Sequence, residues 1–169
     1  MTFPTISVVY PGTFDPMTLG HEDVVLRGTR LFGRVIVAVA AGHHKKTLFS
    51  LDERIAMARE ALAVHGERVE VRPFSGLLRD FVRQQGAKAI MRGVRAVTDF
   101  DYEFQLAGMN RKLMADVETI FMTPNDQYQF ISSTFVREIA SLGGEIADFV
   151  SPSVQARLTA KVAPRGAAG

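Results

Sequence analysis

Residues 10–21 contain the most concentrated set of groups that could handle phosphate. Gly12 and Gly20 permit backbone conformations and close ligand approaches that a Cβ would obstruct, and His21 supplies a ring donor. A helix that begins beyond Gly20 would direct free N–H groups and the positive end of its dipole at an anion. The segment therefore predicts a nucleotide-binding turn, although a plain strand-to-helix loop uses the same residue types.

Basic side chains occupy two further segments. Lys45 and Lys46 follow an apolar run, and Arg92 and Arg95 flank a Gly-Val pair. Two planar guanidinium groups can bind phosphate oxygens in a paired geometry that lysine cannot match. Lysines in a loop are usually solvated, so the charge of Lys45 and Lys46 alone is weak evidence of a binding role. Their position after a predicted strand is stronger evidence, because ligands bind at the carboxyl ends of parallel strands.

Hydroxyl side chains precede a predicted helix in residues 128–134. Ser132, Ser133 and Thr134 could bind nucleotide phosphates together with free N–H groups, or they could simply cap the helix. Both interpretations place these hydroxyls at the amino end of that helix.

Strands and helices alternate along the chain, which identifies the elements that must position these segments. Apolar, β-branched runs predict strands at 6–10, 35–40, 69–74, 89–91 and 118–122. Apolar residues at helical spacing predict helices at 21–32, 50–66, 77–85, 100–114, 132–142 and 152–162. This alternation implies right-handed crossovers and an α/β fold, a single Rossmann-like open parallel five-stranded sheet with helices on both faces.

Ligands of such sheets bind beyond the carboxyl ends of the strands. The loops at these ends are 10–21, 41–49, 75–78, 92–99 and 123–133. All the segments described above lie in these loops or extend from them by one residue, so we expect them to meet at one site. The domain is predicted to span residues 1–162, and residues 163–169, which lack a core-forming pattern, are expected to be a mobile tail.

Composition argues against several classes of protein. The 169 residues fit one domain, and a hydrophobic content of 47% is too high for a disordered chain. Twenty Lys and Arg against eighteen Asp and Glu are too balanced for a nucleic-acid binder without a basic stripe. The chain has no cysteine, and no apolar run approaches the ~20 residues that span a bilayer. We therefore expect a soluble, cytoplasmic protein with no membrane or nucleic-acid partner.

The order of residues is more specific than the composition. Thr-Leu-Gly-His at residues 18–21 resembles the Thr/His-x-Gly-His signature of the nucleotidyltransferase superfamily that includes class I aminoacyl-tRNA synthetases. Residues 10–16, Tyr-Pro-Gly-Thr-Phe-Asp-Pro, resemble more narrowly the bacterial phosphopantetheine adenylyltransferases of coenzyme A synthesis. Residues 91–103 continue that narrower resemblance, which covers about residues 10–162. Thr134 stands where many of these enzymes carry a third serine, and it keeps the hydroxyl.

The resemblance implies a role for individual residues. The implied catalytic residues are His21, a transition-state donor to the α-phosphate, with Lys45 and Arg95. The implied ATP-binding residues are Thr13, Phe14, His21, Gly93, Val94, Arg95, Glu103, Tyr128, Gln129, Phe130, Ile131, Ser132, Ser133 and Thr134. The implied substrate-binding residues are Thr13, Lys45, Leu78 and Arg92.

The resemblance also implies a reaction and its ligands. The phosphate of 4'-phosphopantetheine would attack the α-phosphorus of ATP, which gives dephospho-coenzyme A and pyrophosphate. Mg²⁺ is expected on the ATP phosphates, and we predict no protein ligand for it, because Mg²⁺ commonly uses few protein ligands in such sites. His43 and His44 are interpreted as ordinary loop residues, because they have no spaced third ligand. A homo-oligomer, typically a hexamer, and regulation by coenzyme A are further implications.

Two alternatives stay open from the sequence. One is another nucleotidyltransferase of the superfamily, such as one acting on nicotinamide mononucleotide, and residues 92–103 argue against it. The other is a non-catalytic nucleotide-binding module, and the presence of His21, Lys45, Arg95 and the serine pair argues against that.

Overall fold

The computed structural model describes residues 5–42 and 46–163, which form one sheet and its surrounding helices. The strands are β1 (Ser7–Gly12), β2 (Arg34–Ala40), β3 (Val69–Phe74), β4 (Ala89–Gly93) and β5 (Glu118–Met122). The helices are α1 (Leu19–Leu31), α2 (Leu51–Leu62), α3 (Leu78–Gln84), α4 (Val97–Leu113), α5 (Ser133–Ser141) and α6 (Pro152–Val162). Short 3₁₀ segments occupy Ala63–Arg68 and Asp126–Tyr128.

The sheet is parallel throughout, in the order β3-β2-β1-β4-β5. Val9 of β1 pairs with Ile36 of β2 on one side and with Ile90 of β4 on the other. The chain therefore builds outward from β1 to β3 and then returns to add β4 and β5 on the opposite side. The crevice beyond β1 and β4 is the topological switch point, where ligands of such sheets bind.

The side chains of β2 explain why both faces of the sheet are covered. Val35, Val37 and Val39 belong to a core layer shared with α1 and α2, whereas Ile36 and Ala38 belong to the opposite layer with α3. All five side chains are inaccessible to solvent. A continuous apolar run is typical of a parallel strand that is buried on both faces.

A third apolar cluster lies beyond these two layers and joins the last two helices to the rest of the domain. It includes Met57 of α2, Val136 of α5 and Leu158 of α6, together with Ile131 just before α5. The carboxy-terminal helices are therefore part of the packed domain.

Polar residues fix where several helices begin. Thr18, Ser50 and Ser132 cap α1, α2 and α5 through side-chain oxygens that accept backbone N–H groups. Pro152 occupies the first turn of α6, where its missing N–H costs no hydrogen bond. These starting points place the amino ends of α1 and α5 beside the switch point.

The predicted fold class is confirmed, and β3 and β5 have the predicted bounds. β1 and β4 each run two residues further than predicted, because Gly12 and Gly93 continue the parallel pairing, opposite Val39 and Met122. The fourth helix begins at Val97, earlier than predicted. The longer strands bring both glycines to the edge of the switch point.

Within residues 5–42 and 46–163, no helix has the length and apolar character that crossing a membrane requires. Residues 164–169 of the predicted tail lie outside the described ranges, as do His43, His44 and Lys45.

Candidate active site

A cavity of about 300 Å³ opens at the switch point between β1 and β4. Its walls come from the end of β1, the start of α1, the end of β4, one side of α4 and the start of α5. The predicted site residues that line it are Phe14, His21, Arg92, Gly93, Arg95, Glu103, Ile131, Ser132, Ser133 and Thr134. The structure therefore brings together residues from three of the five loops named from the sequence.

His21 is held by the cap of α1. The Thr18 side chain accepts a hydrogen bond from the His21 backbone N–H, and the Thr18 backbone N–H donates to His21 Nδ1 at 3.1 Å. Because a backbone N–H can only donate, Nδ1 is the unprotonated nitrogen of the neutral ring and Nε2 carries the proton. The Phe14 ring meets the imidazole edge to face, with 5.1 Å between centroids. His21 therefore presents an Nε2–H donor in a fixed orientation.

The imidazole of His21 is neutral at physiological pH. Burial lowers its pKa to about 4, and the nearby charge of Arg95 acts in the same direction. An imidazole with so low a pKa is a weak base, yet its N–H remains a hydrogen-bond donor. The geometry thus favours the predicted donor role of His21 over a role as general base.

Arg92, at the end of β4, is held by a carboxylate and a carbonyl. Its Nε and Nη2 donate to the two oxygens of Glu103 at 2.6 and 2.7 Å, and its Nη1 donates to the Pro11 carbonyl at 3.1 Å. A guanidinium group has five N–H bonds, so these three contacts leave two for a ligand. Glu103, predicted to lie beside the nucleotide, also orients Arg92.

Arg95 has a similar arrangement. Its Nε and Nη2 donate to Asp99 at 3.0 and 3.3 Å, and its Nη1 donates to the Ile131 carbonyl at 3.0 Å. Gln129 Nε2 in turn donates to the Arg95 carbonyl at 3.0 Å. Arg95 is therefore fixed between the first turn of α4 and the segment that precedes α5.

The hydroxyl groups before α5 have different partners. Ser132 Oγ accepts from the Phe135 N–H at 3.1 Å, so it caps the helix and can still donate its own proton. Ser133 Oγ donates to the Pro16 carbonyl at 2.7 Å, which ties α5 to the first loop. Thr134 lines the cavity and is exposed. The two roles considered for these hydroxyls, capping and ligand binding, are thus compatible.

The charges that line the cavity balance one another. Arg92 pairs with Glu103, Arg95 pairs with Asp99, and His21 is neutral. Attraction for a phosphate must therefore come from directed N–H groups and from the positive amino ends of α1 and α5. The arrangement can bind an anion through oriented donors without a large local excess of charge.

Several predicted residues lie away from the cavity wall. The Val94 N–H donates to the Met122 carbonyl at 2.9 Å, and Val94 is buried. Leu78 packs its side chain into the core layer with α3, and the side chain of Phe130 is 88% exposed. The remaining residues in this group are Thr13, Tyr128 and Gln129. For these positions the predicted ligand contacts stay predictions.

Of the two lysines predicted for the second loop, the structure describes only Lys46, which does not line the cavity. Lys45 lies outside the described residues, and Lys46 is exposed. The predicted hold of Lys45 on the acceptor phosphate stays a prediction.

Two residues that line the cavity, Asp99 and Tyr10, had no assigned role in the sequence, and a third, Gly12, was predicted only to allow close ligand approach. Asp99 binds Arg95, and Tyr10 lines the cavity, where burial raises the pKa of its phenol above the usual range. Gly12 has no room for a side chain, because an added Cβ would lie 2.8 Å from Phe14 Cζ. Each of the three lies inside a motif that the sequence analysis recognised, so its position in that motif could have predicted that it lies near the site.

Comparison with known proteins identifies the group to which the chain is similar. A family model described as cytidylyltransferase-like matches residues 9–139. A phosphopantetheine adenylyltransferase of Bordetella avium (strain 197N) is 61% identical over 160 residues, which covers 95% of each chain. The corresponding protein of Acidovorax sp. (strain JS42) is 63% identical over 163 residues, or 96% of this chain and 98% of the relative.

Solved structures support the fold at much lower identity. A bifunctional NMN adenylyltransferase/ADP ribose pyrophosphatase from Francisella tularensis gives a TM-score of 0.70 at 18% identity, over 92% of this chain and 49% of that one. A putative nicotinate-nucleotide adenylyltransferase from Vibrio parahaemolyticus gives 0.63 at 14% identity, over 91% of each chain. The identity and coverage of the sequence relatives show that the chain belongs to the phosphopantetheine adenylyltransferase family of cytidylyltransferase-like proteins.

Proposed function

We propose that the protein transfers the adenylyl group of ATP to 4'-phosphopantetheine, giving dephospho-coenzyme A and pyrophosphate. The observation that carries this conclusion is identity of 61–63% with phosphopantetheine adenylyltransferases over nearly the whole chain. The likeness to nicotinamide and nicotinate nucleotide enzymes stays below 20% identity and concerns the fold alone.

The chemistry requires positioning more than a protein nucleophile. An oxygen of the acceptor phosphate forms the new bond to the α-phosphorus, and the bond to the β-phosphate oxygen breaks, so pyrophosphate leaves with the electron pair. The protein must hold two anions in line and stabilise negative charge in the transition state. The donors around the cavity fit this demand.

His21 would act as the donor to the α-phosphate. Its Nε2–H is fixed by the Thr18 contact at Nδ1, so the donor needs no reorganisation when charge develops. The neutral ring loses no proton during the step. A general base is unnecessary because the acceptor phosphate is already an anion.

The two arginines would bind phosphate through the N–H groups left by their internal contacts. Glu103 and Asp99 hold the guanidinium planes in place, which lowers the entropic cost of a paired contact with a ligand. By family resemblance we assign Arg92 to the acceptor and Arg95 to ATP.

Mg²⁺ is proposed as the cation that accompanies ATP. The cavity carboxylates Asp99 and Glu103 each bind an arginine, so this donor set fits an ion held mainly by phosphate oxygens and water. Bound with ATP, Mg²⁺ would neutralise part of the charge on the leaving pyrophosphate. We assign it no protein ligand.

We further propose that the protein is a homo-oligomer, a hexamer by family resemblance. No residue of α4 is buried in the single chain, and its apolar side chains at Val97, Phe104 and Met109 are between 62% and 79% exposed. Such a surface is unusual in a monomer. Phe104→Glu is expected to lower the mass measured by light scattering, and an unchanged mass would move the interface elsewhere.

Coenzyme A is proposed as a feedback ligand, since it contains the product of the reaction. A cytoplasmic location is proposed as well, and the lack of cysteine is compatible with a reducing compartment. Inhibition assays and cell fractionation test these two proposals separately.

Pyrophosphate release tests the proposed function directly. Purified protein with Mg-ATP should release pyrophosphate in the presence of 4'-phosphopantetheine, and not in its absence or with nicotinamide mononucleotide. Release with nicotinamide mononucleotide alone would assign another acceptor. Binding of ATP without release for any acceptor would favour a non-catalytic module.

A further inference from the structure

Arg54 is a buried charged residue that the proposed chemistry does not use. It lies in α2, and only 1% of its surface is accessible to solvent. Its Nη1 donates to the carbonyls of Thr13 and Ala40 at 2.7 and 2.8 Å, and its Nε donates to the Phe49 carbonyl at 3.3 Å. Burying a guanidinium is costly unless its donors are satisfied, so its presence here requires these contacts.

The three carbonyls belong to three different parts of the site. Thr13 lies in the first loop, Ala40 ends β2, and Phe49 lies just before α2. Asp15 strengthens the same connection, because its carboxylate accepts from the N–H groups of Leu48 and Phe49 at 2.9 and 3.0 Å. The first loop is thus held in place by hydrogen bonds of the Arg54 and Asp15 side chains to backbone groups.

The residue after Thr13 has an unusual backbone. Phe14 has φ = 50°, in the left-handed region that bulky residues rarely adopt. Its ring is 4% exposed and packs against Tyr10 and His21. A strained conformation of this kind persists only where the surrounding contacts hold it.

The Arg54 contact fixes the peptide between Thr13 and Phe14. In a trans peptide the carbonyl and the following N–H point in opposite directions. Because the Thr13 carbonyl points to Arg54, the Phe14 N–H points away from it. Among the described residues this N–H donates no hydrogen bond, and Phe14 lines the cavity.

We propose that Arg54 is a positioning residue for adenylyl transfer: it holds the Thr13 carbonyl, and thereby the left-handed Phe14, so that the Phe14 N–H can donate to an anion in the cavity. The inference rests on the proposed function. Arg54 does not line the cavity, so its effect on the reaction passes through the backbone that it binds, above all through this peptide.

Three variants of α2 test the proposal. Arg54→Met removes all the donors, whereas Arg54→Lys keeps the charge but replaces the fork with one ammonium group. Arg59→Met is the matched control, since Arg59 lies on the same helix, is exposed, and donates to the Val71 carbonyl at 3.3 Å, within the sheet. Wild-type pyrophosphate release is measured first, because its failure would refute the proposed function and not the role of Arg54.

The kinetic constants are then measured per folded molecule, well below the melting temperature of each variant. We expect kcat to fall on the order of 10-fold to 100-fold in both Arg54 variants, with KM for 4'-phosphopantetheine within about threefold of wild type. Arg59→Met should leave both constants unchanged. A folded Arg54→Lys enzyme with kcat within about twofold of wild type would reduce Arg54 to a stabilising residue, and this variant decides alone if Arg54→Met does not fold.

Discussion

Replacing His21 with Asn or with Gln separates the contributions of its two ring nitrogens. The amide of Asn can occupy the place of Nδ1, so His21→Asn keeps an acceptor for the Thr18 N–H but loses the donor at Nε2. The amide of Gln can occupy the place of Nε2, so His21→Gln keeps a donor toward the cavity and loses the acceptor. Folding and transition-state donation are thereby tested in different variants.

The expected losses follow from these contacts. Removal of one preorganised donor to a transition-state oxyanion costs on the order of 10²–10³ in turnover, about 2.7–4 kcal/mol, and this applies to His21→Asn. His21→Gln should retain a larger part of kcat. It should instead lose about 0.5–2 kcal/mol of stability, because the cap of α1 is weakened.

The assay is pyrophosphate release at saturating ATP and 4'-phosphopantetheine, with thermal unfolding measured on the same preparations. A folded His21→Asn enzyme whose kcat lies within about threefold of wild type would refute the donor role of Nε2. Equal losses of kcat in both variants would show that exact imidazole geometry matters more than the presence of a donor.

Two further predictions concern the same region. Since burial lowers the pKa of His21 to about 4 from 6.5, its contribution to stability is complete above about pH 6.5 and is lost as the pH falls toward 4. Nitrogen NMR should show the neutral Nε2–H form at about pH 5.5, and a titration midpoint above about 6 would contradict the burial argument. Gly12→Ala should destabilise the protein by about 1–3 kcal/mol and weaken ATP binding, because its Cβ would displace the packed Phe14 ring. Urea unfolding and calorimetry check this, and unchanged values would show that the ring moves freely.

The sequence was most informative where the site is built from residues that are close together in the chain. Residues 18–21 predicted a helix start and the place of His21 at the site, although α1 begins at Leu19, two residues before the predicted start, because the Thr18 side chain caps it. Arg92 and Arg95 follow a strand, so the rule for parallel sheets placed them at the cavity. Positions of this kind can be predicted from the sequence without knowing which residues far apart in the chain are in contact.

Contacts between distant residues could not be read in the same way. In the sequence, nothing distinguishes Arg54 from other residues of its predicted helix. In the structure, its side chain binds the Thr13 carbonyl, 41 positions away. Glu103 lies in a recognised segment, but its pairing with Arg92, 11 positions earlier, depends on how α4 is placed relative to the end of β4, whereas Asp99 is only four positions from Arg95. Phe130 was predicted from its motif to bind ATP, and in the structure it lies in the turn before α5 and is exposed. Motif membership therefore does not by itself determine how exposed a side chain is, and the ligand contacts of these residues stay predictions.

The carboxy-terminal helix shows how far support for the site extends beyond the phosphate-binding loops. Ile131 lines the cavity and accepts Arg95 through its carbonyl, and it shares an apolar cluster with Val154 and Leu158 of α6. Both α6 side chains are completely buried, whereas the ion pairs of Arg157 and Lys161 with α2 lie at the surface, where solvent screens them. Apolar burial rather than charge therefore holds α6 in place. Because that burial also fixes the segment that Arg95 binds, α6 contributes to the geometry of the site although it contains no phosphate-binding residue.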